Sequence, residues 1–491
     1  MSARSRPSLV HVAAPQRPVD DAVMSDAPTE DLPLPARRGG ADMPAPSRSV
    51  RLFGSRMFFR LWLAQLFSSL GDWIGFVAIT ALSNRLAGTN GVALVLSARL
   101  VPGFFFGSVG GVIVDRFDRK KVMVACDIGR GLMVGLLPFV RHLWLLFLVN
   151  LVLEGLTLLW TPAKEATVPN LVPSEQLPRA NSLGLGAAYG TFPVGAALFT
   201  ALAGLATYLS RFDGLRVLKV NQENLAIWTD TATFLVSAAL ISSLALPARA
   251  RRVRAGVDGE RRRIDLGEHV REVREGWRFI GSSRVVRAVM VALACGLVGG
   301  GMVVPLGPVV AKQVLGGGPK AFGALITALG VGVAVGVIGV SAVQKRFTPE
   351  RVFVRAVLLA GVSLFAAASM WELTPALALV GVMGVGAGAV YVLGFALIQA
   401  NTVDELRGRT FAALYAMVRF CLLLSFVIGP LMASLFGNLS RRLLDGQVGV
   451  GPWVVHLSGG RIALWVASLI ICAAGLLARR SLRSLPSTSE A

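Results

Sequence analysis

From residue 57 onward the chain alternates between long apolar runs and short polar breaks rich in arginine. The apolar runs fall at about 57–84, 91–114, 121–140, 143–161, 178–206, 225–247, 285–310, 320–343, 352–370, 375–400, 410–436 and 460–479, twelve in all. A bilayer core takes about 20 residues of helix to cross. Backbone groups cannot stay unpaired in lipid, so these runs predict helices, numbered here as spans 1 to 12. One set of breaks is strongly basic. Arg116, Arg119, Lys120 and Lys121 follow span 2, Lys345, Arg346, Arg351 and Arg355 follow span 8, and Arg407 and Arg409 follow span 10. The opposite set holds only scattered basic residues, such as Arg85, Arg141, Arg211 and Lys320. Positive loops stay in the cytoplasm, which puts both termini there. An even number of crossings requires the same.

This predicts an all-α membrane protein of twelve transmembrane helices in two six-helix bundles. Residues 1–56, rich in proline and without an apolar signal core, are expected to be a disordered cytoplasmic tail. Met24 and Met43 are plausible alternative starts. The first bundle covers 57–247 and the second 285–480, with a short cytoplasmic tail at 481–491. Between the bundles, 248–284 is a basic cytoplasmic linker. In it Ile264, Val270, Val273, Trp277 and Ile280 recur at helical spacing. That pattern fits an amphipathic helix on the inner membrane surface and fits a solvated linker helix equally well.

Composition agrees with a membrane protein: 16% of residues are charged and 54% hydrophobic, against about 25% charged in soluble domains. The net charge of +21 raises nucleic acid as a partner. The charges lie between apolar runs rather than on one basic face, so the expected partner is the lipid bilayer. Cys126, Cys295, Cys421 and Cys472 lie far apart and form no CxxC, and the four histidines lack ligand spacing. Neither a disulfide framework nor a metal site is expected. Gly316–Lys320 lacks the spacing of a phosphate loop, and no nucleophile elbow is present. The chain is therefore not expected to be an enzyme or to need a cofactor, and its energy must come from an ion gradient or a partner.

Ionisable residues inside apolar spans are costly, so they face a cavity or each other. Asp72 lies near mid-depth of span 1, about 21 Å from Phe58 along a helix. Arg99 lies in span 2, Glu154 in span 4, Asp230 in span 6 and Arg419 in span 11. Asp72 and Glu154 are the candidate proton carriers, since a carboxyl lining a cavity binds or releases a proton as its surroundings change. Arg99 is a candidate charge partner, and Asp72–Arg99 also reads as a purely structural pair. Arg419 is placed to meet an anionic group on a cargo. Asp230 reads as a polar contact at a helix end. Asp127 and Arg130 in span 3 are spaced to pair at (i, i+3) and are assigned to a cytoplasmic gate. Pro193 in span 5 and Gly429–Pro430 in span 11 are candidate flex points. Glycines crowd spans 8 and 10, which predicts close helix contact. Trp62, Trp73, Phe104 to Phe106, Trp160, Tyr189 and Tyr391 are candidates for an apolar pocket or for interface anchors.

Between spans 2 and 3 the chain reads Gly111-Val-Ile-Val-Asp115-Arg116-Phe-Asp118-Arg119-Lys120-Lys121. This resembles the cytoplasmic loop signature of the major facilitator superfamily, with Asp118 where that signature has glycine. The resemblance implies a gate built on Gly111, Asp115, Arg116 and Arg119, beside the plainer reading of a positive loop. After span 8, "GVIGVSAVQKRFTPERV" keeps Gly339, Lys345 and Arg346 of the pattern but not the acid, as a degenerate second copy would. "FFRLWLAQLFSSLGDW" (58–73), "TPAKEATVPNLVPSEQLPRANSL" (161–183), "REGWRFI" (274–280) and "RGRTF" (407–411) are similar to the drug:proton antiporter branch that includes macrolide-efflux proteins and the enterobactin exporter. The resemblance implies proton-driven export of amphipathic, drug-like or siderophore-like small molecules from a bacterial cell, by a monomer in the inner membrane. Two positions depart from that branch. Span 5 has Gly190-Thr-Phe192-Pro193 in place of Gly-Pro with paired glycines, and span 4 has Glu154 where an arginine is usual. Import or facilitated diffusion on the same fold, and a non-transporting membrane scaffold, are the alternative readings.

Overall fold

A computed structural model describes residues 53–114, 117–210, 222–245, 278, 280–343, 347–444, 447–450 and 453–483. Among these, eleven helical segments are long and apolar enough to cross a membrane. The first, Arg56–Gly103, has 48 residues. That is about 72 Å of helix, more than twice a bilayer core of about 30 Å. It belongs to helix α1 (Arg56–Val114), whose backbone leaves helical geometry at Ala87 and Gly88. Gly88 has φ 61° and ψ −154°, a region open only to glycine. The chain doubles back there. A Cβ built on Gly91 would lie 2.7 Å from the Ser83 carbonyl oxygen, and the Arg99 guanidinium lies 5.6 Å from the Phe76 ring centre. Residues so far apart in sequence cannot meet along a straight helix. α1 therefore supplies both spans 1 and 2, and the predicted twelve crossings follow.

Span 3 is α2 (Arg119–Leu136) and span 4 is α3 (Leu143–Thr167). Span 5 is divided into α4 (Leu177–Tyr189) and α5 (Phe192–Leu209). The division falls where Pro193 has no N–H to offer the Tyr189 carbonyl. Span 6 is α6 (Gln222–Ser242). Span 7 is likewise divided, into α7 (Arg284–Gly301) and α8 (Val303–Gln313), just ahead of Pro305. The remaining spans are α9 (Gly318–Val343), α10 (Pro349–Ser369), α11 (Leu373–Ala400), α12 (Asp404–Leu444) and α13 (Gly459–Arg483). α12 runs unbroken through Gly429 and Pro430. A short antiparallel hairpin, β1 (Gln447–Val450) with β2 (Trp453–His456), joins the last two spans and was not anticipated from the sequence. Most of the linker at 248–284 lies outside the described residues; Ile280, at its end, is buried in the second half.

The glycine-rich spans touch backbone to backbone. A Cβ on Gly384 of α11 would lie 3.0 Å from the Gly332 Cα of α9, and one on Gly388 would lie closer still to the Val333 carbonyl. Three large apolar clusters hold the helices together, and their membership is informative. One is built from second-half residues alone, among them Phe353, Leu393 and Ile471. One is built from first-half residues near the basic loops, among them Phe58, Met123, Leu171 and Ile241. The third joins the halves, with Phe199 and Ala203 of α5 against Phe322, Leu325 and Ile326 of α9. The halves are thus packed together at the end away from the basic loops.

Candidate functional site

The first half contains a cavity of about 700 Å³. It runs from the start of α1 at Phe58 to Asp72, between span 1, spans 3 and 4 and α4. Span 1 presents Gln65, Ser68, Ser69 and Asp72 to it. Those positions fall at i, i+3, i+4 and i+7, one face of a helix. Trp62, Trp73, Trp160 and Tyr189 supply aromatic wall, and Lys164 and Glu165 supply charge from the end of α3. Three side chains of span 1 fasten it to carbonyls of α4: Trp62 Nε1 donates to Leu183 at 2.8 Å, Gln65 Nε2 to Gly184 at 2.9 Å, and Trp73 Nε1 to Ala188 at 2.9 Å.

Arg130 lies at the inner wall of this cavity and is nearly fully buried. It pairs with Asp127 one turn away on α2 and donates to Ser68 Oγ at 3.2 Å. Its Nη1 lies 3.5 Å from Asp72 Oδ2. Its guanidinium lies over the rings of Phe234, 4.6 Å to the centroid, and Trp160, 5.1 Å. Asp127 is completely buried and also accepts from the Ser237 hydroxyl at 2.7 Å. One guanidinium therefore holds two carboxylates, and of the two only Asp72 faces the cavity, with 32% of its side chain exposed. Asp127 and Arg130 do meet at (i, i+3), on α2, and Arg130 also reaches Asp72.

Glu154 belongs to a second group, at the junction of the halves. A Cβ on Gly103 of span 2 would lie 3.5 Å from Glu154 Oε1. Arg419 of α12 donates to the carbonyl of the same Gly103 at 2.9 Å. Arg99, one helical turn earlier, lies over Phe76, and its buried Nη1 has no hydrogen-bond partner. Arg99 and Arg419 are both electrostatic neighbours of Glu154. The partner of Asp72 is thus Arg130, not Arg99. Arg419 is exposed and also contacts the other half of the protein through the Gly103 carbonyl.

Of the loop signature, Gly111 lies in the last turn of α1, and Asp115 and Arg116 lie outside the described residues. Arg119 donates to the Ala166 carbonyl at 2.6 Å and Lys120 to the Leu244 carbonyl at 2.7 Å, which ties span 3 to the ends of spans 4 and 6. Asp118 caps α2 by accepting from Lys121 N at 3.0 Å. Its backbone is ordinary extended chain, φ −67° and ψ 117°, so no glycine is required there. Pro193 packs against Gly330 of α9, and Gly429 faces Met302 and Pro305 of span 7. Tyr391 lines a separate, apolar cavity of about 120 Å³ in the second half. Sequence reasoning missed Gln65, Ser68, Lys164, Glu165 and Ser237. For the span 1 residues the polar stripe at helical spacing was the available signal. Ser237 carries none, since it matters only through a partner on another span. Among the described residues no cluster of His, Cys, Asp or Glu suits a metal ion.

Twelve apolar crossings, two packed halves and a polar, aromatic-lined cavity at mid-depth define a membrane transporter of small molecules. Residues 61–345 match the Major Facilitator Superfamily, and the chain belongs to that family. A stretch of 129 residues is 35% identical to macrolide efflux protein A of Streptococcus pyogenes, covering 24% of this chain and 31% of that protein, so less than a third of the relative is matched. Over 398 residues the chain is 25% identical to the multidrug efflux pump Tap of Mycobacterium tuberculosis, covering 78% of this chain and 86% of Tap. Among solved structures, an inward-facing bacterial homolog of the human lysosomal transporter Spinster superposes with a TM-score of 0.65 at 16% identity, covering 88% of this chain and 99% of that one.

Proposed function

We propose that this protein exports amphipathic small molecules across the bacterial inner membrane by alternating access, driven by proton antiport. The observation that carries the reading is the Asp72 carboxyl, exposed to a large aromatic-lined cavity and held at its other side by Arg130. A proton or a cargo group that reaches Asp72 competes directly with Arg130. Neutralising Asp72 would leave the guanidinium to Asp127 and Ser68 and so loosen the tie between spans 1 and 3. Glu154, beside the inter-half contact of Arg419, is the second proton carrier in this reading. The aromatic walls and the few polar groups suit a cargo that is mostly apolar with one or two polar handles.

Orientation follows from charge. The basic loops lie at the end where the cavity begins, and positive loops face the cytoplasm. The halves are packed together at the opposite end. The protein is then open to the cytoplasm, loaded from inside, and works as a monomer with both termini cytoplasmic. The efflux proteins among its relatives support export over import.

The test uses inverted vesicles with an acid-inside gradient. Macrolides, tetracyclines, siderophores and dyes are added singly while a fluorescent base reports luminal pH. The expected result is cargo-dependent loss of acidity that is absent in Asp72→Asn. Cargo uptake by Asp72→Asn with normal proton release would remove the coupling assignment. Silence across the panel with folded protein present would favour import or another ion.

A further inference from the structure

We propose that Asp230 is a proton-binding site: a neutral carboxylic acid held in the interior of the first half, directly behind the cavity carboxyl Asp72. Its use in transport rests on the proton antiport proposed above; its protonation does not.

The intramembrane carboxyls of this half differ sharply in their partners. Asp127 has Arg130 and the Ser237 hydroxyl. Asp72 has Arg130 at 3.5 Å and the open cavity. Asp230 is 2% exposed, and its Oδ1 has no hydrogen-bond partner. Among the described residues it is the one carboxyl with a buried oxygen left in that state. The nearby Thr233 hydroxyl does not help, because it donates to the Asp230 main-chain carbonyl at 2.7 Å. The carboxyl sits in a notch of span 1 made by two glycines. A Cβ on Gly71 would lie 2.5 Å from Oδ1, and one on Gly75 would strike Oδ2.

The charged groups that act electrostatically on Asp230 come from three spans: Asp72 from span 1, Arg99 from span 2 and Arg130 from span 3. Neither cation donates a hydrogen bond to Oδ1: Arg130 is engaged by Asp127, Asp72 and Ser68, and Arg99 lies over Phe76. An anion with an orphaned oxygen, sealed from water and beside a second carboxylate, is far less stable than the neutral acid. The acid needs no counter-ion and fits the dry glycine notch.

The experiment is infrared spectroscopy of the full chain in lipid nanodiscs, read in the carbonyl region of protonated carboxylic acids. Wild type at neutral pH should show such a band. Asp230→Asn should remove it, and Asp72→Asn should leave it in place. Absence of the band from wild type, or an undiminished band in Asp230→Asn, overturns the proposal. Should Asp230→Asn fail to fold, Gly75→Ala presses a methyl against the carboxyl and must shift the band; an unshifted band overturns the proposal equally. Ethidium in inverted vesicles then supplies the transport readout. Loss of ethidium-driven proton release in Asp230→Asn ties the site to coupling. Wild type that carries the band but exchanges no protons for any cargo would defeat the antiport reading while leaving the proton on Asp230.

Discussion

At the scale of single residues, Arg130 joins spans 1 and 3 through Asp72, Ser68 and Asp127. Arg130→Ala leaves Asp127 wholly buried with only the Ser237 hydroxyl. Stranding one partner of a buried ion pair costs about 3–5 kcal/mol, so this variant should lower the midpoint of thermal unfolding in detergent substantially. Arg130→Lys should recover part of the loss, since the charge remains but the fork that spans Asp127, Asp72 and Ser68 does not. An equal midpoint for Arg130→Ala and wild type would mean that the pair contributes nothing. Glu154→Gln should impair proton-coupled transport without loss of folded protein, as read in the vesicle assay. The (i, i+3) pair of Asp127 and Arg130 was legible in the sequence because both residues lie on one helix. The bond from Arg130 to Asp72 was not, because two helices must pack before it exists. Arg99 has the same charge and a similar depth, and nothing in the chain ranks it below Arg130.

At the scale of elements, the hydrophobic pattern was nearly sufficient. All twelve crossings could be read from run length and the polar breaks. The unread details are those that side-chain chemistry decides locally: the interruption of span 7 ahead of Pro305, and the hairpin between spans 11 and 12. Two glycine variants separate backbone strain from crowding. Gly88→Ala meets no atom within 4 Å, so its cost is conformational, about 1–3 kcal/mol. Gly384→Val puts side chain into a backbone-to-backbone contact between α9 and α11. Overpacking of that kind costs about 1–3 kcal/mol or more, with α9 and α11 forced apart. Thermal unfolding ranks the two, and Gly384→Val should also slow transport if those spans move as a unit. Equal transport rates in both variants, at matched protein levels, would argue against that unit.

At the scale of the whole molecule, the halves meet through α5 and α9 at the end away from the basic loops. A Cβ on Gly323 would lie 2.6 Å from Thr200 Oγ1, which keeps the two Cβ positions no farther apart than about 4 Å, within the reach of a disulfide. Thr200→Cys with Gly323→Cys should therefore cross-link under oxidation and hold that end shut. Transport should stop on oxidation and return on reduction. Undiminished transport in the oxidised, cross-linked protein would mean that this end never opens. The cavity itself is one-sided: every residue that lines it lies between Phe58 and Tyr189. In the proposed cycle two halves move, while the first supplies the side chains that meet cargo. Cargo preference should then be inherited through the first bundle, so that a chimera joining it to the second bundle of a relative keeps the original spectrum. Variation that broadens or narrows what is exported should accumulate on spans 1, 3, 4 and 5, leaving the second bundle to evolve as a mechanical counterpart.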